Sequence, residues 1–328
     1  MTPSELSRTV VRVVRTAVDE GALGRVGLVV PEVVKVERPR PGGGGDYASG
    51  IALKLAAAAG LPPRRVAEEL RKRIAGQPGI ALVEISGPGF LNITLDRAAQ
   101  DDVVRQVREA GRRYGYGDAL GGQTLEFAAV PEERARIVTE VVARLLGAQG
   151  ALVRVVERGG VRLAVVACPV PRLAELVGDD AARWAMLRAA RHDRPRTDVE
   201  DLLAQRESNP FFRVRYAHSR SRALTRNAHE LGFGAEAGPV PEAEALLGLV
   251  GDHPAVLEGA ARHHAPDRLA RHLEAVADEL LRFHHQVLPR GDEKPSAAHR
   301  CRLALAEAAG TVLAGGLSLL GIDAPEFL

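Results

Sequence analysis

The stretch Asn209-Pro210-Phe211-Phe212-Arg213-Val214-Arg215-Tyr216-Ala217-His218-Ser219-Arg220 constrains the chain most, because it fixes where a long helix starts and what that helix displays. Asn209 can cap, and Pro210 suits the first helical position, where its missing N–H would have no partner anyway. Phe212, Tyr216 and Ser219 recur at helical spacing, and Arg213, Tyr216, Arg220 and Asn227 can share another face. A ring flanked by guanidinium groups suits an unstacked RNA base beside phosphates. The same letters also spell a core helix with a solvated arginine face, and residue chemistry alone favours that plainer reading.

Composition bounds the class. A length of 328 residues allows two or three domains, and 46% hydrophobic residues can build sizeable cores. The net charge of +2 is too small to name a nucleic-acid partner, so a local patch would have to do so. Basicity is almost all arginine: Lys35, Lys54, Lys72 and Lys294 are the only lysines. Cys168 and Cys301 stand alone, without CxxC spacing, which indicates neither a disulfide framework nor a zinc site. His263-His264 and His284-His285 are adjacent pairs that split across helix faces, whereas zinc favours i, i+4 spacing. No nucleophile motif and no paired-carboxylate spacing stands out, Asp278 and Glu307 included. No metal, cofactor or catalytic residue is therefore expected. The N-terminus lacks a continuous apolar leader core, and no run of about 18 apolar residues occurs, so a cytoplasmic protein without membrane contact is expected.

Taken in order, residues 4–20 read as an amphipathic helix with Leu6, Val10, Val13, Val14 and Ala17 on its apolar stripe. Val26–Val30 and Val33–Glu37 are strand candidates, and Pro41 to Gly45 is a plain flexible loop rather than a phosphate cradle. Asp46 can cap a helix running to Ala59, and Pro63–Ile74 is a second helix. A strand pair, 81–85 and 90–95, flanks Ser86-Gly87-Pro88-Gly89. Residues 97–113 read as a linker helix. Strand 121–127, helix 132–146 and strand 152–157 make one βαβ unit, with a possible third strand at 161–166. Residues 178–188 read as a helix that Asp179 or Asp180 can cap, with Trp184 a packing residue.

Three runs carry a resemblance: Gly45-Asp46-Tyr47-Ala48-Ser49, Val66-Ala67-Glu68-Glu69-Leu70, and Val83 to Asn92 with its Gly-Pro-Gly-Phe-Leu-Asn core. Together they resemble the N-terminal additional domain of arginyl-tRNA synthetases, which touches the D-loop corner of tRNA. The sequence departs from that family at Gly50, where Asn is usual. Downstream, Asn-Pro-x-x-Arg-Val-x-Tyr-Ala-His-x-Arg at 209–220 is similar to the start of the same family's DALR-type anticodon-binding helical domain. Gly178 to Arg188 resembles the run that ends the family's catalytic domain. Leu320 to Glu326 resembles its closing segment, although this chain ends Phe327-Leu328 where the family often has Arg-Met.

The resemblance implies an α+β N-terminal module (1–96), a linker helix with a reduced, degenerate α/β Rossmann-like remnant (97–195), and an all-α C-terminal helical bundle (196–328) that binds anticodons. No histidine precedes His192, and no lysine lies between Lys72 and Lys294. The family's His-x-Gly-His and Lys-Met-Ser-Lys motifs, which set positive donors on the triphosphate, are thus missing from their places. Pro131-Glu132-Glu133-Arg134 stands where the first should follow. The implied function is non-catalytic binding of tRNA, arginine tRNA foremost, or of a tRNA-like RNA. The expected contacts are Arg213, Arg215, Arg220, Arg222 and Arg226, with Arg64 and Arg65 on the other module, for phosphates, and Tyr47, Phe212 and Tyr216 for stacking. A second reading, supported by Gly50 and the altered C-terminus, is a protein-interaction or regulatory module that docks on a synthetase or biosynthetic enzyme. A third keeps arginine–tRNA ligase activity, and the missing histidines and lysines count against it.

Overall fold

Thr2 opens the first helix, α1 (Pro3–Asp19), through a capping box. Its hydroxyl accepts from Glu5 N at 3.3 Å, and the Glu5 carboxylate accepts from Thr2 N at 2.7 Å. The predicted stripe from Leu6 to Ala17 is buried, while Arg8, Arg12 and Arg15 are exposed. This computed structural model describes residues 1–24, 28–39 and 44–328, with the backbone alone at 97–101. It separates into two compact units, Met1–Val103 and Val104–Leu328.

In the first unit, β1 (Tyr47–Ser49), α2 (Ile51–Ala59), α3 (Pro63–Ala75), β2 (Ile80–Ser86) and β3 (Phe90–Leu95) follow α1. The three strands form an antiparallel sheet in the order β1-β3-β2, with Tyr47 opposite Ile93 and Val83 opposite Ile93 on the other side. Leu6, Val10, Leu70, Ile74, Leu91 and Ile93 join in one core. Helix α3 and the β2–β3 hairpin lie where the sequence put them.

The start of α2 does not. Asp46 caps no helix: its carboxylate accepts from Leu95 N at 2.8 Å, which ties it to β3. Residues 47–49 are drawn into the sheet by that pairing, so the helix begins at Ile51 after Gly50. The expected strand 33–37 shrinks to one bridge, Glu37 to Ala48. Of the candidate strand 26–30, residues 26 and 27 lie outside the described residues, and 28–30 form no strand. Residues 41–43 of the glycine loop also lie outside them.

The second unit follows α4 (Arg97–Ala110) with a 3-10 turn (Gly111–Arg113). The expected βαβ unit is present as β4 (Thr124–Ala128), α5 (Glu133–Ala148) and β5 (Leu152–Val156), with the strands parallel and Phe127 opposite Val155. The third strand is reduced to one bridge, Phe127 to Val161. Short helices α6 (Leu173–Val177), α7 (Asp179–Arg188) and α8 (Val199–Leu203) come next. Asp179 and Asp180 do not cap α7; they lie in its first turn, after Gly178. There, negative charge still suits the helix dipole. Four long helices complete the unit: α9 (Pro210–Glu230), α10 (Glu244–Arg262), α11 (Pro266–Phe283) and α12 (Ala297–Leu320).

Residues 104–195 fall within the same compact unit as the C-terminal helices. Arg188 at the end of α7 reaches Glu274 of α11, and Arg183 donates to Leu320 O of α12; within 104–195 itself, Arg134 is fully buried at the start of α5. Its five N–H groups meet five backbone carbonyls: Met186 at 3.0 Å, Val166 at 2.5 Å, Asp193 at 2.8 Å, Ala189 at 3.1 Å and Ala190 at 2.9 Å. One guanidinium so pins α5 to the end of α7 and its following turn. Among the described residues, α12 is the one helix long and apolar enough to cross a membrane, and it is mostly buried among its neighbours. Its apolarity fits the core of a helical bundle.

Candidate nucleic-acid interface

Asn209 caps α9 as the sequence predicts: its carboxamide oxygen accepts from Phe211 N at 3.0 Å, and its amide nitrogen donates to Leu202 O and Ala204 O. Phe211, Val214, Ala217, Ser221, Leu224 and Ala228 turn into the bundle. The outward side is then set by helical period. Phe212 and Tyr216 stack along its middle, with ring centroids 5.6 Å apart and planes 10° from parallel. Tyr216 is 38% exposed, enough to offer a ring face. At 100° per residue, Arg213 and Arg220 fall on one flank of the rings, and Arg215, Arg222 and Arg226 on the other.

These arginines are not equivalent. Arg213 is spoken for: Nε lies 2.8 Å from Asp278 Oδ1, and Nη1 donates to Glu207 O at 2.6 Å. Arg222 pairs with Glu326 at 3.2 Å, although both side chains stay about half exposed. Arg215 lies over the Phe211 ring at 5.2 Å, and Arg226 over the Phe327 ring at 4.3 Å. Arg220 has no hydrogen bond or ion pair among the described residues. Acids therefore interrupt the basic face at two points, and Arg220 is its freest cation.

The segment after α12 lies along the second flank. His218 Nδ1 is 2.9 Å from Pro325 O, and Ser219 Oγ donates to Glu326 O at 3.1 Å. Burial lowers the His218 pKa, the bond to Pro325 O opposes it, and Arg222 and Arg112 push it down further. His218 is thus a neutral side chain that holds the closing segment, with Nδ1 as donor, and not a cation for phosphate.

In the first unit Tyr47 is buried, and Arg38 covers its ring at 5.2 Å from the centroid. No base can stack there in this conformation, because β1 pairing turns the ring into the core; the expected stacking role is corrected. Arg64 and Arg65 are exposed on the first turn of α3. Neither lines the unit's cavity of about 600 Å³, which is walled instead by Lys35, Arg38, Gly50, Lys54, Phe90 and Asn92. A methyl group on Gly50 would stand 3.4 Å from the Phe90 ring, so position 50 does face that space. Sequence reasoning missed Lys35, Arg38 and Lys54 because they come from separate segments that only folding gathers.

At the head of α5, Glu132 acts as cap: its carboxylate accepts from Ala135 N at 2.6 Å and from Cys168 N at 3.4 Å. The helix terminus thus holds one of the protein's own anions.

Residues 214–328 match the family profile described as "DALR anticodon binding domain". That stretch is similar to a DALR domain. Residues 12–95 match a second profile, "Arginyl tRNA synthetase N terminal domain". An arginine–tRNA ligase of Frankia alni is 27% identical over 553 positions, covering 99% of this chain and all of the relative. One from Renibacterium salmoninarum is 27% identical over 547 positions with the same coverage. These alignments are much longer than the 328 residues of this chain, so a large share of their positions is gap on its side. Over 164 residues, 46% of this chain and 29% of the relative, identity to an arginine–tRNA ligase of Micrococcus luteus rises to 42%. In fold, the chain is similar to Thermus thermophilus arginyl-tRNA synthetase, with TM-score 0.73, 13% identity and full coverage of both chains. Plasmodium falciparum arginyl-tRNA synthetase gives 0.71 at 8% identity, again over both whole chains.

These relatives correct one expectation. The missing His-x-Gly-His and Lys-Met-Ser-Lys motifs led to the expectation that the chain is not an enzyme. The proteins that align along 99% of it are named arginine–tRNA ligase, which is an enzyme. What stands is the match of residues 214–328 to a DALR anticodon-binding profile and of residues 12–95 to the arginyl tRNA synthetase N-terminal profile.

Proposed function

We propose that this chain binds tRNA, arginine tRNA first among them, through the outward side of α9 in its DALR-like domain. The observation that carries this is the coincidence of two things. Residues 214–328 match an anticodon-binding domain, and the helix that leads into that match exposes Tyr216 beside the unpartnered Arg220. A base would stack on Tyr216, continuing the Phe212–Tyr216 pair, while Arg220 and the half-exposed Arg222 take flanking phosphates. Arg64 and Arg65, with the cavity at Gly50, would meet the D-loop side of the same tRNA.

The test is a titration against arginine tRNA, a non-cognate tRNA and a DNA duplex, at low and physiological salt. Arginine tRNA should be preferred at physiological salt. Tyr216→Ala should weaken it about five- to a hundredfold, the equivalent of one stacked base. Equal, salt-labile binding to all three, untouched by Tyr216→Ala and Arg220→Ala, would sink the proposal. Charging of the tRNA with arginine and ATP, the activity for which the relatives are named, is read in the same preparations.

A second reading has its own observation. Leu152, Val155 and Val161, around the two-stranded β4–β5 sheet, are 54–58% exposed. Such a face suits a protein partner. Retention of this chain on an immobilised synthetase or biosynthetic enzyme, lost in Val155→Asp, would support it; no retention would exclude it for that partner.

A further inference from the structure

We infer that a groove of about 730 Å³ beside the 3-10 turn Gly111–Arg113 is a second RNA-contact surface, taking backbone phosphates on Arg112 and Arg113 with Tyr116 as a stacking wall. This rests on the reading that α9 binds RNA, and it adds residues that no sequence motif marked.

Charge is the first support. Three guanidinium groups, Arg112, Arg113 and Arg144, line the groove against one carboxylate, Asp323. The side chains of Arg112 and Arg113 are exposed, and neither guanidinium has a hydrogen bond or ion pair among the described residues. Arg144 is 2.5 Å from Glu140, but Arg183 also reaches that carboxylate at 3.2 Å, so the acid is shared between two cations. The end of α12 forms one wall, and its carbonyls would normally repel an anion. Here they are occupied: Gly321 N donates to Ser318 O, Ile322 N to Leu317 O, and Arg183 Nε to Leu320 O. The groove is therefore left positive.

Shape is the second. Gly147 and Ala148 give a floor with little side-chain bulk, which lets a polymer backbone approach. Tyr116 is 39% exposed, and Arg113 lies over its ring at 5.5 Å. Ring and guanidinium together suit a nucleotide better than an apolar partner, since Leu319 and Ile322, the large aliphatic residues of the lining, are buried. The turn is also held in place before any ligand arrives. Arg112 O packs against Gly315 of α12, Tyr114 is buried, and Tyr116 N donates to Arg113 O at 3.0 Å. Preformed donors bind with less loss of freedom.

Continuity is the third. The closing segment joins the two surfaces: Asp323 and Ala324 line the groove, and the next two residues meet His218, Ser219 and Arg222 on the second flank of α9. A strand laid on α9 would run on over this turn.

The experiment is a salt series with arginine tRNA, using the full chain, Arg112→Ala, Arg113→Ala, their double variant and Tyr116→Ala. Tyr216→Ala serves as the α9 control and Arg154→Ala, on exposed β5, as the neutral one. Each arginine removed should lower the slope of log affinity against log salt by about one and weaken binding about threefold. Tyr116→Ala should weaken binding about fivefold or more, and Tyr116→Phe should restore it. Circular dichroism checks that each variant is folded, and Arg154→Ala should match the parent. If Tyr216→Ala weakens binding while the groove variants keep the parent slope and affinity, the groove is not an RNA surface and suits an acidic peptide instead. If the parent chain binds no tRNA, the α9 reading and this one fall together.

Discussion

Single residues of the second unit show what burial does to charge. Tyr114, His253 and His272 stack in sequence, with centroids 6.0 and 5.3 Å apart, between the turn after Arg113, α10 and α11. Burial lowers the His272 pKa to about 4, and that of His253 well below the usual histidine value. Between about 4 and 6.5 the unfolded chain holds protons on His272 that the folded chain does not, so stability falls as pH drops through that window. At full extent His272 alone is worth about 3 kcal/mol. Denaturant midpoints should fall from pH 7 to pH 4.5, and His272→Gln should flatten the fall. Arg134 is the opposite case, a buried charge with every donor used. Its removal takes the guanidinium donors from five backbone carbonyls, of which Ala190 O keeps a second donor, Asp193 N, so Arg134→Met should cost about 3–5 kcal/mol in urea unfolding. Neither fact was legible beforehand. The letters gave Arg134 only as one basic residue in a run of acids, because its acceptors lie 32 to 59 residues away. The histidine pairs that caught the eye, at 263–264 and 284–285, are not the buried pair.

Elements were far more legible than contacts. Asn209 and Pro210 mark the start of α9 by local chemistry, and the helix begins there. The βαβ order was readable from apolar runs and their lengths, since each element's period is a local property. Asp46 misled for the same reason. Its side chain suits a cap, but pairing of β1 with β3 outweighed that preference, and three residues became strand. At the other end, α12 carries glycines that look like helix weakeners and act as contact points. A methyl group at Gly315 would stand 2.7 Å from Arg112 O, and one at Gly316 2.5 Å from Leu273. Since a backbone atom cannot swing aside, Gly315→Ala should destabilise by about 1–3 kcal/mol despite alanine's better helix propensity. A thermal melt showing no loss would mean that the 3-10 turn shifts freely, and the groove it borders would then lose its fixed shape.

At the scale of the whole molecule, two cores should report separately. Calorimetry should resolve two transitions, with Leu70→Ala lowering the one that belongs to Met1–Val103 and Arg134→Met the other. The Leu70 change should cost about 2–5 kcal/mol, as a large buried side chain does. Movement of both transitions by either variant would contradict the division. The net charge of +2 says nothing of RNA, and the structure explains why: what counts is local, with Arg213 and Arg222 paired to Asp278 and Glu326 while the side chains of Arg112, Arg113 and Arg220 meet no acid among the described residues. The sequence by itself determined where helices start, which segments pair as hairpin and βαβ unit, and which family's motifs the two ends resemble, because caps, periods and motif spacings act over a few residues. Only the tertiary structure decided that Tyr47 is buried, that Arg213 and Arg222 are engaged, and that Arg112, Arg113 and Tyr116 share a groove. Those outcomes depend on partners such as Ile93, Asp278 and Glu326, brought together from distant parts of the chain by burial of the apolar cores.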